Sequence, residues 1–439
     1  MMHLALYLEA GTHQGGWRHP QSASSGSVDW PLYKKIARRA EAACLDMLFV
    51  ADKLSIDDNY GGHFSETVRY RPVVRPEPLT LLSALAAVTD RIGVGGTVSS
   101  SYALPYSAAR MLANIDHISG GRAAWNLVTS VSDGEARNFG RQQHYGHAER
   151  YARAGEFIEV VQKLWDSWGD EALLLDAEQG LFADPQAFHY LHHRGEFFDI
   201  KGPINIPRPP QGQPVLIQAG VSDAFLDLAA KNAEVVFVVH PQLERAKTFY
   251  RLLKDKARSH GRDPDTLKIL PGIVPVVAET HEAALAKDRL LKELIRPEAG
   301  LSFMSASMNH DLAQYPQDGP FPDIREAITG SKGRFQYVIL QALELGLTVG
   351  QTGKRYAQSL NFFSPVGSPE GVAEQLAEWY RAGACDGFVI LPPYLEAESD
   401  AFLDGVVPAL QAAGLFRREY PGQTLRDTLG LARPVSRFA

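Results

Sequence analysis

The chain of 439 residues is 45% hydrophobic and 22% charged, with a formal net charge of −7 at pH 7. This balance indicates a globular protein with a large core, and it excludes the basic face that nucleic acid or an anionic membrane would need. No stretch is apolar over the length of a transmembrane helix, and the chain length is usual for a barrel carrying insertions.

The first residues, MMHLALYLEAG, lack both a basic segment and a long apolar segment, so they predict a core strand rather than a signal peptide. Cys44 and Cys385 are far apart, and each lies in an apolar helix-to-strand context. This pattern predicts two buried free thiols and a cytoplasmic protein.

Strand and helix signals alternate along the chain. Short apolar runs predict eight strands, at 3–10, 47–51, 92–99, 123–128, 214–219, 235–239, 268–277 and 387–391. Amphipathic stretches predict helices, at 29–43, 78–89, 105–117, 150–168, 223–232, 241–260, 281–294, 333–345, 369–383 and 401–413.

Eight strands that alternate with helices predict an α/β fold, a (β/α)8 TIM barrel, because so many regular units rarely fit an open doubly wound sheet. Two segments rich in loops predict insertions, about 169–213 after strand four and about 296–365 after strand seven. No linker or internal repeat divides the chain, so we expect one domain over 1–439.

The stretch GGRAAWNLVTS, followed by the polar turn VSDGEARNFG, supplies the clearest candidate site. Gly120 is expected to end a helix, and Asn126, Thr129 and Ser130 follow at the carboxyl end of strand four, where barrel enzymes place their chemistry. Other strand ends add further polar side chains, namely Glu9, Thr12, His13, Asp52, Thr97, Ser99, Ser100, Ser101, Gln218 and Ser222. This set is rich in hydroxyls and amides, which favours a polar planar ligand over the paired acids of a glycosidase.

Two helix starts predict an anion site. In QAGVSDAF, Ser222 is placed to cap a helix from Asp223, and a helix amino terminus with a hydroxyl attracts phosphate. In HAERY, His147 and Tyr151 are four residues apart and therefore share a helix face. Either feature alone is more often an ordinary cap or surface pair. His189, His192 and His193 have no Cys or acidic partner in sequence, so no metal site is predicted.

The motifs GTHQGGWRHP, LFVADKL, GRAAWNLVTS, EARNFG, HAERY, GPINIPRPPQGQPVLIQAGVS and TLRDTLGLARP stand in this order along nearly the whole chain. Together they resemble the bacterial luciferase-like flavin-dependent monooxygenases, in the branch of nitrilotriacetate monooxygenase, pristinamycin synthase and dibenzothiophene-sulfone monooxygenase. Phe225, where such proteins usually have glycine, is a departure expected to narrow the phosphate cradle.

The resemblance implies a barrel that binds reduced flavin mononucleotide (FMNH2) supplied by a separate NAD(P)H:flavin reductase, forms a flavin hydroperoxide with O2 and inserts one oxygen atom into a small organic substrate. Carried over by position, the flavin contacts are Asp52, Thr97, His147, Tyr151 and Ser222, with Ser99 and Asn126 as further candidates. Tyr151 and Ser222 would hold the phosphate. His13 would line the reactive face of the flavin and His147 would lie near the isoalloxazine edge, and one of the two would steer the peroxide proton.

Three other functions stay open: a deazaflavin-dependent hydride-transfer enzyme on the same scaffold, a barrel hydrolase, and a flavin-binding protein without catalysis. Few basic residues stand at the predicted strand ends, which disfavours a multiply charged acid as substrate and favours an organosulfur or heteroaromatic compound. By resemblance we expect a homodimer or homotetramer.

Overall fold

In the computed structural model, which describes residues 1–9, 11–23 and 28–438, eight parallel strands close into a barrel. Each strand pairs with its neighbours in chain order, and the eighth pairs with the first. The strands are β1 His3–Tyr7, β2 Met47–Val50, β3 Gly93–Ser99, β4 Ala123–Val128, β5 Val215–Ala219, β6 Val235–Val238, β7 Lys268–Ile273 and β8 Gly387–Ile390. The predicted (β/α)8 fold is therefore confirmed.

The α-helices surround the barrel or cover its carboxyl end. They are α1 Trp30–Ala42, α2 Ser65–Tyr70, α3 Pro78–Ala86, α4 Pro105–Ser119, α5 Asp133–Asn138, α6 His147–Trp165, α7 Asp223–Asn232, α8 Leu243–Ser259, α9 His281–Glu293, α10 Pro297–Met308, α11 Lys332–Glu344, α12 Val349–Ala357, α13 Pro369–Arg381, α14 Ala397–Ala401, α15 Val407–Ala412 and α16 Leu425–Leu429. Within the described ranges, no helix has the length and apolar character needed to cross a bilayer.

Side chains of β4 alternate between the two faces of the barrel wall, as a strand requires. Trp125 points outward and packs edge-on against Trp165 of α6, with ring centroids 5.5 Å apart. Ala124 points inward, where a side chain on Gly95 of β3 would lie 3.5 Å from its Cβ. Asn126, two residues further along, therefore points into the barrel near its carboxyl end.

The amino-terminal end of the barrel is closed by α16. The Leu425 amide donates to the Gly121 carbonyl at 3.0 Å, and the Leu425 side chain occupies the space beside Gly93, where an added Cβ would lie 2.7 Å from it. Helix α16 thus covers this end of the barrel.

The long segments between β4 and β5 and between β7 and β8 fall where insertions are predicted. The first carries two antiparallel ribbons, Leu173–Asp176 with Leu181–Ala183 and His193–Arg194 with Asp199–Ile200. The second carries α10, α11 and α12, of which only α11 is predicted from sequence. Both cysteines are buried and free, as predicted.

Some predicted boundaries are wrong. The expected polar turn after β4 contains helix α5, which begins with a capping box between Ser132 and Glu135. Helix α6 starts at His147 instead of residue 150 and ends at Trp165. Strand β1 ends at Tyr7, and Ala10 of the predicted strand lies outside the described residues.

Candidate functional site

A chain of hydrogen bonds joins the carboxyl ends of β2, β3 and β4. The Asn126 amide nitrogen donates to the Thr97 hydroxyl at 3.0 Å, and that hydroxyl donates to the Val50 carbonyl at 3.1 Å. The Asn126 Oδ1 atom is buried and accepts no hydrogen bond from any residue in the described ranges. A buried acceptor without a partner is costly, so this oxygen is poised for a donor on a ligand.

Ser99 takes part in a separate network. Its hydroxyl lies 2.9 Å from the Ser130 hydroxyl, which donates to Glu135 at 3.1 Å. Glu135 also accepts from the backbone amides of Val131 and Ser132, each at 3.2 Å. These bonds fix the loop after β4, and they leave Ser99 less available to a ligand than Asn126.

Asp52 lies at the end of β2, half-buried. Burial raises the pKa of its carboxyl to about 6, and the charges of Glu77 and Glu135 act in the same direction. The Lys53 amide donates to one carboxyl oxygen at 2.8 Å and opposes the shift. Asp52 is therefore partly protonated near pH 6.

The helix-start residues meet across the barrel rim. The Tyr151 hydroxyl of α6 lies 3.3 Å from the Ser222 hydroxyl, and the His147 ring centroid lies 4.9 Å from that of Tyr151. Ser222 caps α7 as predicted, because its hydroxyl accepts from the Phe225 amide at 3.3 Å. Two hydroxyls thus converge on the amino terminus of a ten-residue helix.

Phe225 lies on the core side of this loop. Its ring is buried, and a Cβ on Gly220 would lie 2.8 Å from two of the ring carbons. The ring therefore tightens the loop by packing against Gly220, and any side chain at residue 220 would displace it.

Arg150 connects the two polar groups. Its guanidinium donates to the Ser130 carbonyl at 3.3 Å and lies 5.8 Å from the Tyr151 ring centroid. The first turn of α6 is therefore tied to the loop after β4, and the strand-end residues and the helix-start residues border the same end of the barrel.

An aromatic wall, defined as Tyr7, Phe49, Phe237 and Phe362, lines the other side of the barrel. Successive ring centroids are 5.8, 5.9 and 5.5 Å apart, and the last pair is stacked. Phe362 fills the space that Gly272 of β7 leaves open, since a Cβ there would lie 2.6 Å from its ring. Sequence reasoning missed this wall, although the inward positions of β1, β2 and β6 were available as a signal.

The two candidate histidines differ in environment. His13 is 3% exposed; its Nδ1 accepts from the Gly15 amide at 3.2 Å, and its Nε2 has no hydrogen-bond partner. Burial, aided by the Lys292 charge, lowers the pKa of His13 to about 3, so the ring is neutral. His147 is exposed, and its pKa is lowered by partial burial and by Arg150. No hydrogen bond joins His13 to the other predicted site residues.

Arginines from loops and from the second insertion, rather than from the strand ends, reach the barrel mouth. Arg75 forms an ion pair with Glu9, which also accepts from the Tyr7 hydroxyl. Burial raises the pKa of Tyr7, while the charges of Arg75 and Arg334 pull it down, so both cations lie near β1. Glu9 therefore has a cationic partner and a hydroxyl donor at the barrel mouth.

No cluster of three or more metal-ligating side chains occurs in the described part of the chain. His193, one of the three neighbouring histidines, instead lies 3.0 Å from Glu156.

The luciferase-like monooxygenase family model matches residues 10–386, which is most of the chain. The chain belongs to the luciferase-like monooxygenase family. The predicted family membership and the predicted enzyme class, a monooxygenase, are thereby confirmed.

Individual relatives of this luciferase-like monooxygenase match it end to end. It is 45% identical to N-acetyl-S-(2-succino)cysteine monooxygenase of Bacillus subtilis (strain 168), over 98% of this chain and 96% of the relative. It is 42% identical to component A of nitrilotriacetate monooxygenase of Aminobacter aminovorans, over 99% and 97%. The crystal structure of a riboflavin lyase with modified FMN and riboflavin superposes with a TM-score of 0.89 at 29% identity, covering 100% of this chain and 97% of that chain.

The mouth of this luciferase-like monooxygenase fits a phosphorylated flavin. The orphaned Asn126 Oδ1 can accept from a ring N–H, and the hydroxyls of Tyr151 and Ser222 at the α7 amino terminus can donate to a phosphate. A planar ring needs apolar walls as well, and the aromatic wall supplies one.

Proposed function

We propose that this luciferase-like monooxygenase is the oxygenase of a two-component system. It uses FMNH2 from a separate NAD(P)H:flavin reductase, together with O2, and inserts one oxygen atom into a small organic substrate. The observation that carries the proposal is the convergence of Tyr151 and Ser222 on one helix amino terminus, at the same end of the barrel as the unpartnered Asn126 oxygen. The word "component" in the name of the nitrilotriacetate relative supports a second protein.

The phosphate would be held by neutral donors. Tyr151 and Ser222 supply two hydroxyls, and α7 supplies backbone N–H groups with the positive end of its dipole. Asp223, in the first turn of α7, is exposed to solvent. No side-chain cation is needed in such a cradle, as in many phosphate sites built from helix ends.

The ring would be oriented by the strand-end residues. Asn126 offers an acceptor, and Thr97 fixes the Asn126 amide so that its oxygen faces the barrel. Asp52 offers a carboxyl that is partly protonated near pH 6. Ser99 would act through Ser130 to hold the loop after β4.

When bound, reduced flavin mononucleotide would supply the two electrons that activate dioxygen, and dioxygen would supply the oxygen atom that the substrate receives. The protein must keep water and stray proton donors away from this chemistry. The aromatic wall would shield one side of the mouth from water. His13, neutral and with a free Nε2, would hold a proton at that atom, and His147 would do so from the exposed rim.

The substrate is proposed to be an organosulfur compound. This class agrees with the sulfur-containing substrate in the name of the Bacillus subtilis relative. We further propose that the enzyme acts in the cytoplasm as a homodimer or homotetramer.

A binding and turnover experiment tests the proposal. The purified chain is titrated with oxidised and reduced FMN, then supplied with a generic flavin reductase, NADH and 18O2 in the presence of N-acetyl-S-(2-succino)cysteine and other organosulfur compounds. We expect saturable binding and a product one 18O heavier. If neither oxidised nor reduced FMN bound saturably, the proposal would be overturned. Turnover with reduced deazaflavin in the absence of O2 would assign hydride transfer instead.

A further inference from the structure

Three buried hydrogen-bond donors near the barrel mouth have no partner among the residues that the structure describes. They are the Nε atoms of Arg71 and Arg334 and the hydroxyl of Tyr356. Arg71 follows α2, Arg334 lies in the first turn of α11, and Tyr356 lies in α12. A single orphaned donor is unusual in a buried site, and three together call for an acceptor from outside the chain.

The three donors are neighbours in space. The Arg334 guanidinium carbon lies 5.5 Å from the Tyr356 ring centroid. The Arg71 guanidinium carbon lies 4.8 Å from the Phe303 ring centroid, and Phe303 is 5.8 Å from Tyr356. Burial raises the pKa of Tyr356 to about 12 against the pull of both arginine charges, so its hydroxyl remains a donor at neutral pH.

The cluster carries excess positive charge. Asp57 pairs with both Lys53 and Arg71, so one carboxylate faces two cations. Arg334 donates to the Leu360 carbonyl and forms no ion pair with any residue in the described ranges. A partly buried guanidinium without a counter-ion is costly, and an anion would relieve that cost.

The cluster borders the proposed flavin site. The Arg334 guanidinium carbon is 5.6 Å from the Phe362 ring centroid, and Phe362 belongs to the aromatic wall. At the start of the same helix, a Cβ on Gly333 would lie 3.4 Å from Val221, in the loop that Ser222 ends. Arg334 therefore stands between the barrel mouth and the phosphate cradle.

We propose that Arg71, Arg334 and Tyr356 bind an oxyanion, the carboxylate of the organic substrate, and so select acidic substrates. This inference rests on the proposed function, because it assigns the substrate side of the same mouth. Two guanidinium groups and a phenol hydroxyl, each with an unpaired donor, match the donors that a carboxylate prefers. The other source of an oxyanion is the flavin phosphate, which the test below separates.

The test measures binding to the FMN-loaded enzyme by calorimetry. Two probes are compared. One is N-acetyl-S-(2-succino)cysteine, which carries three carboxylates, and the other is its trimethyl ester, which has the same skeleton without charge. We expect the acid to bind at least ten times more tightly than the ester. Arg334→Gln should remove most of this preference for the acid, and Arg334→Lys should keep part of it. Tyr356→Phe, which preserves the ring packing, should weaken binding of the acid about tenfold to a hundredfold, in line with one lost hydrogen bond to a charged group.

Arg325→Gln is the matched control, since Arg325 is an exposed arginine of the same insertion that pairs with Asp323. It should leave both probes unchanged. Equal binding of acid and ester by the parent enzyme, or an unchanged preference in Arg334→Gln, would overturn the inference while leaving the flavin proposal intact. A loss of FMN affinity in Arg334→Gln, with riboflavin affinity retained, would assign the oxyanion to the flavin phosphate. Failure of the parent chain to bind FMN would instead overturn the proposed function.

Discussion

The hydroxyls of Tyr151 and Ser222 lie 3.3 Å apart, although the residues are 71 positions apart in the chain. Tyr151 stands in the second turn of α6, and Ser222 caps α7. Neither residue is unusual by itself. Their meeting at a helix amino terminus is what makes an anion site, because hydroxyl donors and free backbone N–H groups then face the same point.

Ser222→Ala is expected to weaken FMN at least tenfold and to leave riboflavin affinity unchanged, because riboflavin lacks the phosphate. The substitution also removes a helix cap, which costs about 1 kcal/mol of stability. Fluorescence titration with both flavins, together with urea unfolding, measures the two effects.

Ser368→Ala separates capping from binding. Ser368 caps α13 in the same way, accepting from the Gly371 amide at 3.2 Å. It should lose similar stability and keep FMN affinity. If both variants lost FMN equally, the role of Ser222 would be that of a cap alone.

Gly220→Ala is expected to reduce FMN affinity at least tenfold, because the new methyl would lie 2.8 Å from the Phe225 ring and shift the Ser222 loop. Phe225→Leu in the same chain should restore part of the affinity by opening space below the loop. Titration of the single and double variants with FMN measures the coupling, and additive effects in the double variant would contradict the packing explanation.

Asp52→Asn is expected to stabilise the protein at pH 8 by about 1–2 kcal/mol after allowance for solvent screening of this half-buried group. Burial raises the pKa of Asp52 from 3.8 to about 6 in the folded chain. Such a carboxyl opposes folding above pH 6, and this effect fades as the pH falls from 6 towards 4. Urea unfolding at several pH values should therefore show the advantage of the variant shrinking with acid.

Asp170→Asn provides a control of opposite sign. Arg433, with Arg208, lowers the pKa of Asp170 to about 2 against partial burial. The ionised form of Asp170 favours folding, so Asp170→Asn should lower the free energy of unfolding at neutral pH. This difference from the parent protein should disappear as the pH falls towards 2. The Asp52 account would fail if Asp52→Asn destabilised at pH 8 as Asp170→Asn does.

His13→Ala is expected to lower the ratio of product formed to O2 consumed and to raise hydrogen peroxide release. Since the pKa of His13 is held at about 3 by burial and Lys292, this ratio in the parent enzyme should show no inflection from His13 between pH 5 and pH 9. Oxygen-electrode and peroxide assays measure both quantities.

His13→Gln guards against a packing defect, because Gln keeps a donor and most of the volume. His147→Ala tests the second proposed position in the same assay. His189→Ala is the control that should leave coupling unchanged, because the His189 ring stacks on Phe438 with ring centroids 4.4 Å apart. Unchanged coupling in the His13 and His147 variants would remove the proton role from both.

Several features of this protein could be predicted from local sequence alone. Alternation of apolar runs with amphipathic stretches predicts eight parallel strands, and the structure closes them in chain order. The Ser222 cap and the Gly120 helix end are equally local, because each depends on one residue and its immediate neighbours. That the chain forms one domain, and that the site residues bind flavin, stay predictions.

Tertiary structure decided which side chains meet. Phe362 completes the aromatic wall from a position 125 residues beyond Phe237, and nothing in its local sequence indicates an inward-facing role. Arg71, Arg334 and Tyr356 come from three separate helices or helix ends, so no spacing rule could group them. Local sequence determines which residues form helices, strands and caps, whereas charge and packing at the barrel mouth depend on contacts between residues that are tens to hundreds of positions apart.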